Sequence, residues 1–305
     1  MLIVRDSQVK KLFYKEQEID KILDWRGNVV FEKESAPVMT NTIKFHTKSS
    51  VIFGNDFTVT YTDSTQDTVS FSEPSKEYSL SIPTDKTVRM INCGSYVDEI
   101  IVSCKIQLSE GFINQKPNTV RLLSCYATSS TNLSNTFTGY GLDLIEIRKL
   151  DVRNITSMDK LFYSSHAKSI VFDVLNSSSV NIMSNLFQWA DVETLVGLDS
   201  LDTSNVTTME NMFYYCVNLT ELDLSNFNTS NVTNIYSMFY HCSNLASLDL
   251  SGWDLTKVTN TNYMFSYCNK LTTIRMIGCN QTTIDKIKKA LSSAGILNQV
   301  TIVTE

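Results

Sequence analysis

A repeat of 26 residues occupies the C-terminal half of the chain and restricts its possible folds more than any other feature. Three segments superpose residue by residue, beginning at Val206, Val232 and Val258. Methionine, phenylalanine and cysteine recur in identical columns: Met212, Met238 and Met264; Phe213, Phe239 and Phe265; Cys216, Cys242 and Cys268. One such unit cannot bury both of its faces, but stacked copies can. The repeat therefore predicts a solenoid in which equivalent residues lie on top of one another.

The same columns continue towards the N-terminus with less identity. Two apolar columns keep the phase of the repeat: Leu150, Leu175, Leu201, Phe227 and Trp253; and Ile145, Ile170, Val196, Leu222, Leu248 and Ile274. Phenylalanine also recurs upstream of Phe213, at positions 187, 162, 137 and 112. We therefore place the solenoid at residues 95–279, in about seven units of 25–26 residues.

Each unit contains two patterns of apolar residues. Leu219, Leu222, Leu224 and Phe227 follow the spacing of a short strand with one buried face. The spacing 0, 3, 4, 7 from Met209 to Cys216 is typical of one face of a short helix. Thr207 with Glu210, and Thr156 with Asp159, have the spacing of a capping box. The sequence predicts an α/β solenoid with a parallel sheet on one side and short helices on the other.

This repeat resembles a known family. The pattern SNVTxMxxMFxxCxxLxxLDLSxFxT at residues 204–229 and 230–255 is similar to the BspA-like, DUF285-type leucine-rich repeats of bacterial surface proteins. Residues 256–279 match well, and those before about 204 match loosely. The resemblance implies a cell-surface or adhesive protein without enzymatic activity. The apolar start of the chain ends at Arg5, which is too short for the core of a signal peptide, so we expect no export signal.

The two ends of the chain differ from the repeats. Residues 1–35 contain two or three short strand patterns, and we interpret them as a β anchor segment that pairs with another chain. The pattern YKxxEIDKI…GNVVFE in this segment is similar to N-terminal segments of phage virion and tail-associated proteins. Residues 36–94 predict a small β-module or an N-terminal cap, so the N-terminal region is all-β. Residues 280–305 predict a helix–strand cap, with a helix over 282–294 followed by Gly295.

Composition excludes several classes of function. The net charge of −6 and the pI of about 5.2 argue against nucleic-acid binding. No window approaches the roughly 18 consecutive apolar residues of a membrane-spanning helix, so we expect no membrane insertion. Seven widely spaced cysteines do not form a disulfide framework. We predict that Cys216, Cys242 and Cys268 are reduced, buried and without metal.

Catalytic and cofactor motifs are missing from the sequence. It contains no P-loop, no G-x-G-x-x-G and no G-x-S-x-G, and its three histidines lack zinc-ligand spacing. We therefore expect no cofactor and no enzymatic activity. Paired carboxylates of a glycan-degrading enzyme are a less favoured alternative, because the acids concerned recur at repeat positions and are better explained as turn residues: Asp173, Asp199, Asp223 and Asp249.

Two surfaces of the predicted solenoid are candidate binding sites. The first is an aromatic stripe on the helix side, formed by Tyr214, Tyr215, Tyr240, His241 and Tyr267. Flat aromatic faces suit sugars and partner proteins, although these rings could instead only cover the grooves between adjacent helices. The second is the sheet side, with mixed charges at Glu146, Arg148, Asp173, Asp199, Asp223, Asp249 and Arg275.

These observations favour a non-enzymatic structural or adhesive protein of a bacteriophage virion. Residues 1–35 would bind other virion proteins, while the solenoid would present a surface to a host glycan, a host protein or a neighbouring subunit. A surface-type repeat without an export signal fits a particle that is released by lysis. The alternative is an adhesin on the bacterial cell surface, and the glycan-degrading enzyme comes third.

Overall fold

The computed structural model describes residues 21–23, 29–32, 41–47, 55–71, 73, 75–93, 97–108, 112–114, 117–123, 125–127, 132–138, 143–152 and 154–305. The chain divides into two compact units, residues 1–38 and residues 39–305. In the first unit, β1 (Lys21–Leu23) pairs antiparallel with β2 (Val29–Glu32). A further predicted strand pattern of this segment, at 9–15, lies outside the described residues.

The described residues between 39 and 93, in the second unit, form five strands. They are β3 (Thr42–Thr47), β4 (Asn55–Tyr61), β5 (Gln66–Phe71), β6 (Glu77–Ser81) and β7 (Val88–Asn92). β3 pairs with β6, and β4 pairs with β5 and β7. Residues 48–54 of the predicted β-module lie outside the described residues. These strands are not separate from the repeats, because they belong to the same thirteen-stranded sheet.

The remaining eight strands of that sheet come from residues 97–196. They are β8 (Val97–Ser103), β9 (Lys105–Ile106), β10 (Ile113–Asn114), β11 (Thr119–Leu122), β12 (Cys125–Ala127), β13 (Leu144–Asp151), β14 (Ser169–Asn176) and β15 (Thr194–Val196). β13 pairs in parallel with β11, β12 and β14, and β3 joins the sheet by antiparallel pairing with β8. Paired Glu99 and Thr119 are 20 residues apart, so the 25-residue spacing begins only after β11.

A second sheet of four parallel strands follows. It contains β16 (Glu221–Asp223), β17 (Ser247–Asp249), β18 (Thr273–Arg275) and β19 (Thr301–Val303). Paired residues of β16, β17 and β18 are 26 positions apart, as in Leu222, Leu248 and Ile274. The described part of the chain is therefore mainly β-structure, with parallel strands repeated at the sequence period.

The column through Ile145 and Ile170 differs from the predicted alignment at β15. Leu195, and not Val196, pairs with Ile170, while Val196 pairs with Val171. β15 ends at Val196, and Gly197 follows with a φ of 76°. A Cβ at this position would be only 1.9 Å from the Phe172 carbonyl oxygen. Only glycine fits there, and the resulting turn shifts the alignment by one residue.

The short helices predicted within the repeats are wrong. Residues 206–219 form consecutive turns in which Asn211 and Tyr215 have φ of 53° and 61°, values incompatible with an α-helix. Alternate N–H groups donate to the next repeat, as from Phe213 to the Met238 carbonyl at 2.9 Å. A helix would keep these N–H groups for its own carbonyls. The turns instead bond neighbouring repeats to each other, while still burying Met209, Met212, Phe213 and Cys216.

The predicted capping boxes are wrong for the same reason. Thr207 donates its hydroxyl to the Asn181 carbonyl of the preceding repeat at 3.1 Å, and the N–H of Glu210 approaches the Thr208 hydroxyl at 3.4 Å. The N–H of Asp159 donates to the hydroxyl of Ser157 at 3.2 Å. Threonine therefore links neighbouring repeats here and does not start a helix.

One aromatic stack runs through the core of both sheets. Phe137, Phe162, Phe187, Phe213, Phe239 and Phe265 stack in sequence, with adjacent centroids 5.3–5.8 Å apart and ring planes within 12°. The predicted inward orientation of Phe213, Phe239 and Phe265 and of the adjacent methionines is confirmed, since none is more than 1% exposed. This stack makes residues 132–279 one continuous core.

Serine, threonine and asparagine form about 30% of the chain, and many of them bond one repeat to another. The buried hydroxyl of Thr229 donates to the Asp254 carbonyl at 3.0 Å and accepts from the Asp254 N–H at 2.8 Å. Thr203 forms the same pair of bonds with Asn228. The polar residues thus hold the stack together as well as forming its turns.

The cysteine column is buried, as predicted. Each thiol lies close to the phenylalanine carbonyl of the preceding repeat: Cys216 to Phe187 at 3.0 Å, Cys242 to Phe213 at 3.0 Å and Cys268 to Phe239 at 2.9 Å. Burial raises the pKa of all three thiols, to about 12 for Cys268. The thiols are therefore protonated hydrogen-bond donors at neutral pH.

The C-terminal end is closed by α1 (Gln281–Ser293), the one α-helix among the described residues. Asn280 caps its first turn by accepting from the Thr283 N–H at 2.8 Å, and Gly295 ends it with a φ of 77°. The Lys286 ammonium donates to the carbonyls of Leu255, Thr256 and Val258 at 2.6–3.1 Å. Where the structure describes the chain, no helix is long and apolar enough to cross a membrane.

Candidate functional site: a stacked aromatic column

The predicted aromatic residues lie together along one edge of the turn segments. Tyr215, His241 and Tyr267 occupy equivalent positions, each with a φ between 57° and 64°. Backbone bonds set the spacing, because the N–H of Tyr215 donates to the Tyr240 carbonyl at 2.7 Å and that of His241 to the Ser266 carbonyl at 2.8 Å. The repeat backbone therefore places one aromatic ring above the next.

The column is longer than the sequence reasoning indicated, because Trp189 belongs to it. Trp189 stacks on Tyr215 with centroids 4.0 Å apart, Tyr215 on His241 at 4.1 Å, and His241 lies 5.5 Å from Tyr267. Trp189 has the same left-handed backbone, with a φ of 63°. Its spacing of 26 residues from Tyr215 was the available signal. We call Trp189, Tyr215, His241 and Tyr267 the aromatic column.

A shorter pair of rings runs alongside it. Tyr214 and Tyr240 stack with centroids 4.7 Å apart and planes 5° apart, and Tyr240 meets Tyr267 edge to face at 5.2 Å. Partial burial, reinforced by neighbouring tyrosines, raises the pKa of the Tyr214 and Tyr240 hydroxyls. Both phenols are therefore neutral hydrogen-bonding groups at physiological pH.

The geometry corrects the expectation that flat ring faces are open along this surface. Trp189, Tyr215 and His241 stack face to face, so both faces of Tyr215 and one face of His241 are covered, while Tyr267 is tilted by 30° against His241. Solvent reaches their edges and polar atoms instead. Free faces can occur only at the ends of the column, at Trp189 and Tyr267, which are 42% and 55% exposed.

The second candidate surface is built from the strands. Asp223, Asp249 and Arg275 pair directly across β16, β17 and β18, and Arg275 Nε donates to Asp249 Oδ2 at 3.1 Å. Both carboxylates also stabilise turns: Asp223 accepts from the Ser225 N–H, and Asp249 from the N–H and hydroxyl of Ser251. These groups have local structural partners, as expected for turn residues.

Glu146 and Arg148, from the same predicted surface, belong to an ion network. The carboxylate of Glu146 is almost fully buried and contacts Arg121 at 2.9 Å and Arg148 at 2.5 Å. Arg121 also contacts Glu99 at 2.8 Å. The network links β8, β11 and β13 and leaves Glu146 with two cationic partners.

An open groove of about 660 Å³ lies on another surface of the repeats, lined by residues between Asn132 and Asn234. It follows the positions at which single-residue parallel bridges join consecutive repeats. Its polar side chains bond to one another, as from Asn185 to Asp159 at 2.7 Å and from Asn234 to Glu210 at 2.8 Å. Across the described residues, no group of three or more histidine, cysteine or acidic side chains could hold a metal ion.

Together, the repeated parallel strands, the continuous phenylalanine stack and the exposed aromatic column define a β-rich repeat protein with a regular surface. A family profile described as "Mycoplasma protein of unknown function, DUF285" matches residues 131–193 and 183–302. The chain therefore belongs to the DUF285 family. No curated protein matches it.

Proposed function

We propose that residues 95–279 form a leucine-rich-repeat-like solenoid and that the chain is a non-enzymatic structural or adhesive protein. Support comes from the parallel pairing of strands at the period of the repeat and from the continuous phenylalanine stack. Turns occupy the positions at which this type of solenoid was predicted to have helices. The structural hydrogen bonds of Asp223 and Asp249 further support a non-enzymatic role.

The aromatic column is the observation that carries the binding role. Its rings are partly exposed, while the phenylalanine stack in the same repeats is fully buried. Stacking fixes the side chains in advance, so a partner would lose little side-chain entropy on binding them. Tyrosine and tryptophan are also the residues most enriched at recognition surfaces. The column and the adjacent Tyr214 and Tyr240 therefore form the recognition surface of the proposed adhesin.

A cell-binding assay tests this role and separates the two candidate surfaces. The purified full chain is labelled and its binding to a panel of bacterial cells is measured by flow cytometry. The variant Tyr215→Ser/His241→Ser should bind the recognised cells roughly tenfold more weakly or worse, as expected for recognition residues. Asp223→Asn, on the strand surface, is the matched control and should bind normally. Loss of binding in the control alone would transfer the role to the strand surface.

The proposed location is a phage virion, with the bacterial cell surface as the alternative. Residues 1–38 form their own compact unit with a paired β1 and β2, which supports the proposal that residues 1–35 anchor the chain to other virion proteins. Mass spectrometry of purified particles and of cell-surface fractions distinguishes the two locations. Deletion of residues 1–35 should leave a folded repeat region that no longer enters particles. Normal incorporation of this deletion would overturn the proposed anchor.

A further inference from the structure

We propose that the N-terminal end of the aromatic column is a sugar-binding site, in which one neutral pyranose ring stacks on the indole of Trp189. This inference rests on the proposed recognition role of the column and names its ligand class. It follows from three features of the structure: an exposed indole, a polar pair from the two repeats that meet there, and the carboxylate of that pair.

The first feature is the open face. The ring contacts of Trp189 among the described residues are with Tyr214 and Tyr215, both in the following repeat. In the preceding repeat the equivalent position is Ser164, whose N–H donates to the Gln188 carbonyl at 2.8 Å. A serine side chain is too short to cover an indole. Trp189 is 42% exposed, and no aromatic ring of the preceding repeat contacts it among the described residues, so we place the ligand on its side towards Ser164.

The second feature is the polar rim. His166 Nδ1 lies 2.6 Å from Asp191 Oδ2, and both side chains are about half exposed. This pair comes from the two repeats that meet at Trp189, since Asp191 N–H donates to the Ser165 carbonyl at 2.9 Å. His166 Nε2 and Asp191 Oδ1 are the remaining polar atoms of the pair. In the proposed site these atoms and the Ser164 hydroxyl would hydrogen-bond the hydroxyls of the sugar.

The pair is specific to this end of the column. The residues equivalent to Asp191 in later repeats are Val217, Ser243 and Asn269, none of which is charged. Tyr267, at the other end, is therefore an exposed aromatic ring without an equivalent acid–imidazole pair. This difference makes Trp189 the sugar-binding end of the column.

The third feature selects a neutral sugar over other occupants. A pyranose has an apolar C–H face and polar edges, which match an aromatic face surrounded by hydroxyl, imidazole and carboxylate groups. A cationic ligand would compete with His166 for Asp191, and an acidic sugar would be repelled by its carboxylate. A protein partner would need an apolar patch of several hundred Å². Besides Trp189 and Tyr267, the large apolar side chains that are exposed in the described residues lie outside the aromatic column: Ile182, Tyr263 and Ile277.

The experiment uses the full chain and a printed array of mono- to hexasaccharides of glucose, galactose, mannose and N-acetylglucosamine, with sialylated forms included. Binders are then titrated by calorimetry. Wild type should retain neutral sugars in preference to sialylated ones. Trp189→Ala should weaken binding roughly tenfold or more, the scale of removing one aromatic stacking partner. Tyr263→Ala removes an exposed ring outside the aromatic column and should bind within about twofold of wild type, a change of less than 1 kcal/mol.

The decisive variant is Ser164→Tyr. It extends the column by one ring and covers the indole without removing it. The backbone tolerates tyrosine there, because Ser164 has a φ of 50° and Tyr215 adopts 61° at the equivalent position. Ser164→Tyr should weaken sugar binding at least as much as Trp189→Ala does. Circular dichroism and melting temperature confirm that both variants fold.

Two results would overturn the sugar site: retention of no neutral sugar by wild type, or unchanged binding by Ser164→Tyr. Neither result would overturn the recognition role of the column, which is measured on whole cells with Tyr215→Ser/His241→Ser. Conversely, normal cell binding by that double variant would overturn the recognition role even if the array detected a sugar.

Discussion

The early repeats, residues 97–196, and the late repeats, residues 206–279, are joined to their neighbours by different groups. β13 and β14 each have eight residues and pair along their whole length, so the main chain makes most of the early contacts. β16, β17 and β18 each have three residues. A ladder of hydroxyls begins after β14, at Ser177, and continues through Thr203 and Thr229, and the column of thiols adds further bonds in the late repeats.

The difference explains why the repeat is so visible in one half of the sequence and so faint in the other. Main-chain pairing can be made by almost any residue, so it leaves little trace in the sequence. A hydroxyl or thiol ladder requires the same residue type at the same position in every copy. The two halves nevertheless share the phenylalanine stack, which is why that column could be followed furthest upstream. Four predictions test this comparison, beginning with the shared core.

The largest effect is expected for Phe239→Ala, in the late repeats. The ring is fully buried between Phe213 and Phe265, so its removal leaves a cavity and should lower the free energy of unfolding by about 3–5 kcal/mol. Phe162→Ala, in the early repeats, should cost a similar amount, because that ring is equally buried. Urea unfolding measures both. Tyr263→Ala, at an exposed ring, is the control, and an inert Phe162→Ala would mean that the halves do not share one core.

A smaller loss is expected for Lys286→Met at the end of the late repeats. Its ammonium satisfies three carbonyls that have no following repeat to bond. Their loss should cost about 2–3 kcal/mol, the scale of hydrogen bonds to a charged group. The measurement is again urea unfolding, with Lys288→Met as the exposed control on the same helix. Equal stabilities of the two variants would show that α1 closes the stack by its apolar face alone.

Thr229→Val tests the hydroxyl ladder directly and should cost about 1–2 kcal/mol, since it leaves both groups of Asp254 without the buried hydroxyl. One repeat before Thr203 the equivalent position is Ser177, which forms the same pair of bonds with Asp202, and only the position before that is apolar, at Val152. Thr233→Val is the matched control, because its hydroxyl bonds to the Thr207 carbonyl at the exposed surface. Equal losses in the two threonine variants would contradict a special role for the buried ladder.

The sequence predicted what is buried better than how the backbone buries it. The spacing of Met209, Met212, Phe213 and Cys216 identified the core, but a helix and a pair of tight turns can bury the same four positions. Asparagine at Asn135, Asn185 and Asn211 was the overlooked signal. It recurs inside the supposed helix, where it is a poor helix former but tolerates the left-handed conformation it adopts.

The candidate site was predicted in part for a similar reason. The repeat spacing brought Tyr215, His241 and Tyr267 into one column, because the period alone determines which residues are neighbours. It could not show that the rings lie face to face, since ring orientation depends on the left-handed backbone at each position. The one-residue shift at Leu195 was equally hidden, because it results from the close contact between Gly197 and Phe172.

The smallest effect is expected for Cys242→Ala, and it should depend on pH. At pH 7 the variant loses a thiol contact with the Phe213 carbonyl and a small volume of core, a cost of about 1 kcal/mol. Burial raises the pKa of this thiol well above its ordinary value, so folding favours the protonated form. That contribution is fully present below the unfolded pKa, about 8.5, and is lost as the pH rises towards the folded pKa. Wild type should therefore lose stability between pH 9 and 12 by more than the alanine variant does.

Urea unfolding under reducing conditions at pH 7 and at about pH 10 measures the difference in stability between wild type and Cys242→Ala. A stability advantage of wild type over the variant that stays the same or grows at the higher pH would show that the thiol is not buried in its protonated form.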